Sequence, residues 1–279
     1  MTVQLGKLTL GEGHPLFLIA GPCVIENEPH TLRMAARLAA LTRELRIAFV
    51  FKASYDKANR TSLGSYRGPG LRRGLEILAR VKQEFGVPVL TDVHETSQIR
   101  RVAEVCDVIQ VPAFLSRQTD LLLEAGRSGA VVNIKKGQFL SPYEVRHAVE
   151  KVASTGNHRV LLTERGTSFG YNNLVVDFRG LAIMREIGYP VVLDVTHSLQ
   201  LPGGEGVRSG GEPRFIEPLG RAGVAAGVDG LFMEVHDNPA RALSDGANAL
   251  DLRRFKPLVS RLRKLGEFVR KLKGENRPR

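Results

Sequence analysis

Tryptophan is absent from the 279 residues, and aromatic side chains make up only 6% of them. Surfaces that stack bases on aromatic platforms need more, and no nucleic-acid recognition motif interrupts the chain, so nucleic acid is not an expected partner. Cysteine is almost as scarce. Cys23 and Cys106 are the whole complement, too few for a disulfide scaffold and in keeping with a reducing, cytoplasmic setting. No apolar run approaches the ~20 residues that span a bilayer. Met1-Thr2-Val3-Gln4-Leu5-Gly6-Lys7 lacks the basic-then-apolar pattern of a secretory leader, and no membrane association is expected. Linkers, repeats and low-complexity tracts are missing too, so a single domain over 1–279 is predicted.

Acidic residues are in deficit. Lys and Arg number 40 against 29 Asp and Glu, a formal charge of +11, which suits nucleic acid, an anionic membrane surface or small anionic substrates. Residues 261–279 hold eight of the cations and two of the acids, as a solvated helix end and basic tail would. The remaining +5 has to be sought elsewhere, and a pocket for anions is the natural place.

What the chain does have is a recurring pattern. Apolar runs at 16–21, 48–53, 87–92, 108–113, 131–136, 159–165, 190–196 and 230–235 are nearly continuous rather than alternating, as parallel strands read when both faces are covered. Helical spacing fills 30–45, 70–84, 95–104, 117–127, 141–154, 173–187, 213–226 and 251–272. Ser141-Pro142-Tyr143-Glu144 reads as a helix start, while Gly86, Gly156 and Gly188 read as helix stops. Eight alternations in about 250 residues predict an α/β fold, a (β/α)8 TIM barrel. An open doubly wound sheet is the runner-up, but Gly21-Pro22-Cys23 after the first run is no dinucleotide fingerprint. Residues 1–14 precede the first strand and are expected to form a short β-ribbon over the barrel floor.

The C-terminal strand ends of a barrel carry its chemistry. Here they read Cys23, Lys52, Asp92, Gln110, Lys135, Arg165, His197 and Glu234. Polar groups are ordinary at solvated strand ends, but eight around one mouth point to an active site. Lys52, Lys57, Arg60, Lys135 and Arg165 converge there, with Arg117 close by, and Asp56, Asp92, Asp120 and Glu164 can pair with only some of them. A substrate with several anionic groups is expected. Lys135 or Lys136 could form a Schiff base or hold a phosphate, and the sequence leaves both open. Cys23, His197, Glu234 and Asp245 lie far apart in the chain. Gathered in one mouth they would suit Zn²⁺ or Fe²⁺, with His94 and His236 as possible substitutes; otherwise Cys23 is a small packing residue. Cys106, in an apolar context, reads as core. Segments 52–70, 198–211 and 236–250 are too long and too polar for plain connectors, and the glycine-rich 198–211 reads as a lid.

Longer motifs now carry a resemblance. Ala20-Gly21-Pro22-Cys23, FKASYDKANR (51–60), SYRGPG (65–70), TDVHE (91–95), QVPAFLSRQTDLL (110–122), NIKKGQF (133–139), TERGTSFGYNNLVVD (163–177), DVTHSLQLPGG (194–204) and GLFMEVH (230–236) follow in order. From about residue 16 to 255 the chain resembles the 3-deoxy-D-manno-octulosonate 8-phosphate synthases. These enzymes condense phosphoenolpyruvate with D-arabinose 5-phosphate for lipopolysaccharide biosynthesis. The related 3-deoxy-D-arabino-heptulosonate 7-phosphate synthases, which take erythrose 4-phosphate, show Lys-Pro-Arg-Thr-Ser where this chain has Lys57-Ala58-Asn59-Arg60-Thr61. Sialic-acid synthases, a third relative, carry a further domain for which this chain has no room.

The resemblance implies roles residue by residue. Lys52, Ser54, Lys57, Gln110, the backbone of Ala113, Arg117, Lys135 and Arg165 would hold phosphoenolpyruvate or line its pocket. Asn59, Arg60 and Thr61 would take the pentose phosphate, Arg60 and Thr61 reaching in from a neighbouring subunit of a homotetramer. Thr61 stands where relatives often have Ser. Asp92 and Asp245 would lie close to the reacting atoms, and Cys23, Lys52, Lys135 and His197 would complete the catalytic set. The metal-independent form has Asn in place of Cys23, so Cys23, His197, Glu234 and Asp245 imply a divalent ion, Zn²⁺ or Fe²⁺, with Mn²⁺ or others able to substitute.

Overall fold

The computed structural model describes residues 1–60, 62–203 and 210–275. Eight parallel strands close on themselves: in chain order Phe17–Gly21, Ala48–Lys52, Val89–Asp92, Val108–Val111, Val131–Lys135, Val160–Glu164, Val191–Asp194 and Gly230–His236. The circle shuts where the seventh strand pairs with the eighth (Val192↔Gly230) and the eighth with the first (Gly230↔Phe17). Around it run α1 (Glu28–Glu44), α2 (Leu71–Phe85), α3 (Thr96–Ala103), α4 (Thr119–Arg127), α5 (Val145–Ala153), α6 (Phe178–Glu186), α7 (Ile216–Ala226) and α8 (Leu252–Glu275). The predicted (β/α)8 barrel is the observed fold. Among the described residues, no helix is long and apolar enough to cross a membrane.

Two expected helices start late. Residues 142–144 form a turn instead of a first helical turn, and Glu144 accepts a hydrogen bond from the Ser141 N–H at 2.9 Å, the half of a capping box that faces back along the chain. The stretch 173–187 shortens to α6 because Leu174–Val175 pairs with Thr167–Ser168. Asp177 then caps the helix by accepting from the Arg179 N–H at 3.0 Å.

Side chains from alternate strand positions divide into two shells. The outer one packs strands against helices and contains Cys106, as its apolar context predicts. The inner one is a plug of Phe17, Val50, Val131, Leu161 and Phe232, completed from below by Val3, Leu5 and Leu10. Those three belong to the antiparallel hairpin of Thr2–Leu5 and Leu8–Gly11, the ribbon expected from residues 1–14. Leu10 is completely buried. Leu10→Ala should therefore lower unfolding free energy by about 2–5 kcal/mol in a urea titration. Thr9→Ala, on the outer side of the hairpin, should change it by less than about 0.5 kcal/mol.

Candidate active site

The inward positions that are apolar at the floor become polar at the mouth. Lys52 follows Val50, Asn133 and Lys135 follow Val131, Thr163 follows Leu161, and Glu234 follows Phe232, each at a strand spacing of two. The Phe232 ring separates the two regions. Lys135 Nζ stands 3.3 Å from its centroid and Lys52 Nζ 5.6 Å, so the ring offers its negative face to both ammonium groups. Gly21 is bare for a reason: a Cβ there would lie 1.9 Å from the Lys52 carbonyl oxygen. The absence of that carbon lets the first and second strands approach at the rim.

Glu234, with no solvent exposure, lies at the centre of the charges. Its Oε1 accepts from Lys52 Nζ at 2.6 Å and lies 3.9 Å from Lys57 Nζ and 3.4 Å from His197 Nε2. Burial opposes its ionisation, but His197 and then Lys52 and Lys57 outweigh burial and hold the carboxyl well below the usual range. Lys52 Nζ also donates to the Cys23 carbonyl at 2.8 Å. Asp194 performs the same service across the mouth. It accepts from Lys135 Nζ and, at 2.7 Å, from His197 Nδ1, while its other oxygen takes the N–H groups of Thr196 and His197. Burial lowers the Lys135 pKa to about 8 despite the attraction of Asp194.

Gln110, Asn133 and Thr163 form a fixed neutral chain: Thr163 Oγ1 donates to Asn133 Oδ1 at 2.6 Å and Asn133 Nδ2 to Gln110 Oε1 at 2.9 Å. Asp92 accepts from Ser54 Oγ and lies 3.2 Å from His94 Nε2. Burial again works against the charge, yet Lys57 and His94 keep Asp92 ionised. Arg165 donates to Gln200 at 2.7 Å, and its buried Nη1 has no partner among the described residues. A guanidinium nitrogen left in this state calls for an anion.

The donor set meets the requirements of a divalent cation. Cys23, Glu234 and Asp245 each offer an atom within 4.8 Å of the others. His197 faces this group, its Nε2 3.9 Å from Asp245 and 3.4 Å from Glu234. With Nδ1 donating to Asp194, a neutral His197 ring turns its lone pair toward two carboxylates. That arrangement is relieved by a proton or a metal, and an aspartate behind a histidine is the usual outer support of a metal-bound imidazole. Buried Glu234 Oε2 has no hydrogen-bond partner among the described residues. Burial first, then Asp245 and Glu234, push the Cys23 thiol up; a cation reverses that balance by binding the thiolate.

The loops complete the rim. Arg60 reaches Ser244 and Asp245 of its own chain, 3.2 Å from Asp245 Oδ1, whereas the resemblance implies a reach into a neighbouring subunit. Asn59 is exposed nearby, Ala113 is half-buried on the turn after the fourth strand, and Arg117 is exposed beyond it. Thr61 lies outside the described residues, as do 204–209 of the expected lid and 276–279 of the tail. The described flanks of the lid form a ribbon, Gln200–Leu201 against Gly210–Gly211.

The expectation that Asp56, Asp92, Asp120 and Glu164 pair with only some of the cations holds: Asp92 faces Lys57 and Glu164 faces Arg165, whereas Asp56 pairs with Arg67 at 2.8 Å and Asp120 is exposed. Glu164 accepts from the Arg165 and Gly166 N–H groups and stands 3.6 Å from Lys136. The counter-ions of Lys52, Lys135 and Arg60 are Glu234, Asp194 and Asp245. Nor does His236 substitute as a ligand, since it turns to Glu26 at 3.1 Å. Asp194, Phe232, Ser244 and Gln200 escaped the sequence reading. Asp194 had a usable signal: it ends its strand and precedes His197 by three residues.

Comparison with known proteins is consistent with this geometry. The family model described as DAHP synthetase I matches residues 1–270. A 2-dehydro-3-deoxyphosphooctonate aldolase of Syntrophotalea carbinolica is 60% identical over 269 residues, covering 96% of this chain and 97% of its own. Proteins of the same name from Geobacter sulfurreducens and Geotalea uraniireducens are 55% and 56% identical, each over 96% of this chain and 98% of theirs. By family model and by relatives aligned almost from end to end, the chain belongs to the DAHP synthetase I family.

Proposed function

We propose that the protein condenses phosphoenolpyruvate with D-arabinose 5-phosphate and water, giving 3-deoxy-D-manno-octulosonate 8-phosphate and inorganic phosphate. The observation that carries this reading is the buried group of Lys52 and Lys135 over Phe232 with Arg165, whose Nη1 has no partner among the described residues. The relatives' name denotes the same eight-carbon 3-deoxy-2-keto acid phosphate. The alternative acceptor, erythrose 4-phosphate, has the family description behind it. Relatives named for the eight-carbon product, and Lys57-Ala58-Asn59-Arg60 in the loop, favour arabinose 5-phosphate.

In this reaction C3 of phosphoenolpyruvate forms a bond to the aldehyde carbon, water adds at C2, and the hemiketal phosphate loses phosphate by C–O cleavage. Lys52, Lys135 and Arg165 neutralise the carboxylate and phosphate of the enol ester, whose charges otherwise repel the second phosphate. Asp92, held ionised, would take a proton from the water. No Schiff base is needed, and Lys135, as an ammonium ion against Asp194, serves as an anion ligand. Arg60 and Asn59 lie where the pentose phosphate enters. Cys23, His197, Glu234 and Asp245 would hold Zn²⁺ or Fe²⁺, with Mn²⁺ able to substitute. Such an ion supplies Lewis-acid polarisation of an aldehyde oxygen or of water.

Assembly and setting belong to the same reading. Phe114, Phe139, Phe169 and Tyr171 are exposed on loops that follow the fourth, fifth and sixth strands. Aromatic groups so placed support a homotetramer packed through its mouth-side loops, working in the cytoplasm.

Three measurements test these statements. Phosphate release from phosphoenolpyruvate should be roughly a hundred-fold faster with arabinose 5-phosphate than with erythrose 4-phosphate; the reverse preference makes the alternative correct. Excess EDTA should abolish turnover and a divalent metal should restore it, while full activity in EDTA removes the metal from the reading. The third concerns pH. Lys135 binds anions as an ammonium ion, present below its pKa of about 8 and lost above it. So kcat/KM for phosphoenolpyruvate should fall about ten-fold per pH unit above that point, and Lys135→Met should lack this limb.

A further inference from the structure

The loop that carries Asp245 leaves the eighth strand at Asp237 and returns at Leu250–Asp251, which pairs parallel with Val235 and His236. Its ends are therefore fixed on one strand edge, but its middle has to be aimed. Asp245 itself adopts a left-handed conformation, φ 47°, a region that aspartate enters more readily than most non-glycine residues but still at some cost. Ser244 Oγ lies 2.7 Å from Cys23 Sγ and Asp245 Oδ2 3.4 Å from it. Thiol contacts are weak hydrogen bonds, and Arg60 and Gln200 reach the side chains of Ser244 and Asp245 from other loops, so the loop's backbone still needs an anchor on the barrel.

We infer that Glu26 is that anchor: a positioning residue whose carboxylate grips the loop next to Asp245 and so pre-forms the Cys23, Glu234 and Asp245 group. Its Oε1 accepts from the Leu243 N–H at 2.8 Å, one residue before Ser244, and from His236 Nε2 at 3.1 Å. The backbone of Glu26 is tethered in turn, since Tyr66 Oη donates to its carbonyl at 2.9 Å. Glu26 and Cys23 lie on the same short segment after the first strand, which thus holds the loop at two points three residues apart. His30, on the first turn of α1, stacks on His236 with centroids 4.7 Å apart and contacts Asp237 at 3.1 Å, bracing the loop's departure point.

Glu26, His30 and His236 also bring three potential ligand atoms within 4.8 Å of one another, but their hydrogen bonding argues against a second metal. The Asn238 N–H donates to His236 Nδ1 at 2.9 Å, so the neutral ring carries its proton on Nε2. It therefore gives Glu26 a donor and offers a metal no lone pair.

This inference rests on the proposed metal role of Asp245, and its test separates the two. Hydrogen–deuterium exchange is measured over 238–245 in the metal-free protein, together with metal affinity against a competing chelator and metal content per chain. Glu26→Ala removes both bonds; the exchange of the loop should become about ten-fold faster and metal affinity should fall about 10–100-fold. Glu26→Gln keeps an oxygen acceptor and should stay within about three-fold of the parent in both readings. Where Glu26→Ala fails to fold, Glu26→Asp, which withdraws the oxygen by one methylene, takes its place and should behave like the alanine variant. Unchanged exchange in the alanine or aspartate variant overturns the inference, as does a second equivalent of metal that is lost with Glu26. Faster exchange with unchanged metal affinity upholds the grip on the loop and refutes the metal role of Asp245 instead.

Discussion

A carboxylate with no access to water has to be neutralised where it lies, and the upper half of this barrel is organised around that requirement at Glu234. Lys52, Lys57 and His197 converge on one carboxylate; Asp194, itself fully buried, holds His197 and Lys135 from the other side. Removing either partner of such a pair strands a charge in a low-dielectric interior, at a cost of several kcal/mol. The set is consequently rigid. It is also close to balanced, so one further anion or cation shifts every neighbour, and a site of this kind responds strongly to small charged ligands.

Most of the scaffold was legible from the sequence for one reason. The eight barrel strands are buried on both faces, so each appears as a nearly continuous apolar run, and the predicted edges lie within about two residues of the observed ones. The helix starts at Val145 and Phe178 were harder to find. Ser141 makes only half of its expected cap, and a two-residue ribbon at Leu174–Val175 competes for the chain before Asp177. No local pattern announces such a ribbon, because its partner, Thr167–Ser168, is held by the loop and not by hydrophobic periodicity.

The site shows the same division. Lys52, Asp92, Gln110, Lys135 and Glu234 belong to barrel strands and point inward by parity, so a list of strand ends recovers them; Arg165 follows one directly. Which charge meets which is a different matter: Lys52 and Glu234 are 182 residues apart, and no spacing rule links them. Of the acids open to that role, Asp56 turns to Arg67, while Glu164 takes two backbone amides and stands near Lys136. Phe232 went unnoticed because a phenylalanine in an apolar run is indistinguishable from core until Lys135 is seen over its face.

The hairpin under the barrel has a consequence for traffic. Because the inner plug fills the floor and Val3, Leu5 and Leu10 back it from below, the described residues leave the charged strand ends a doorway at the mouth only. Two reactants arriving and two products departing must share that doorway. A group held against Lys52 and Lys135 lies deeper in that mouth than one beside Arg60, whose loop forms part of the rim. The floor is thus sealed by apolar residues that never touch the chemistry.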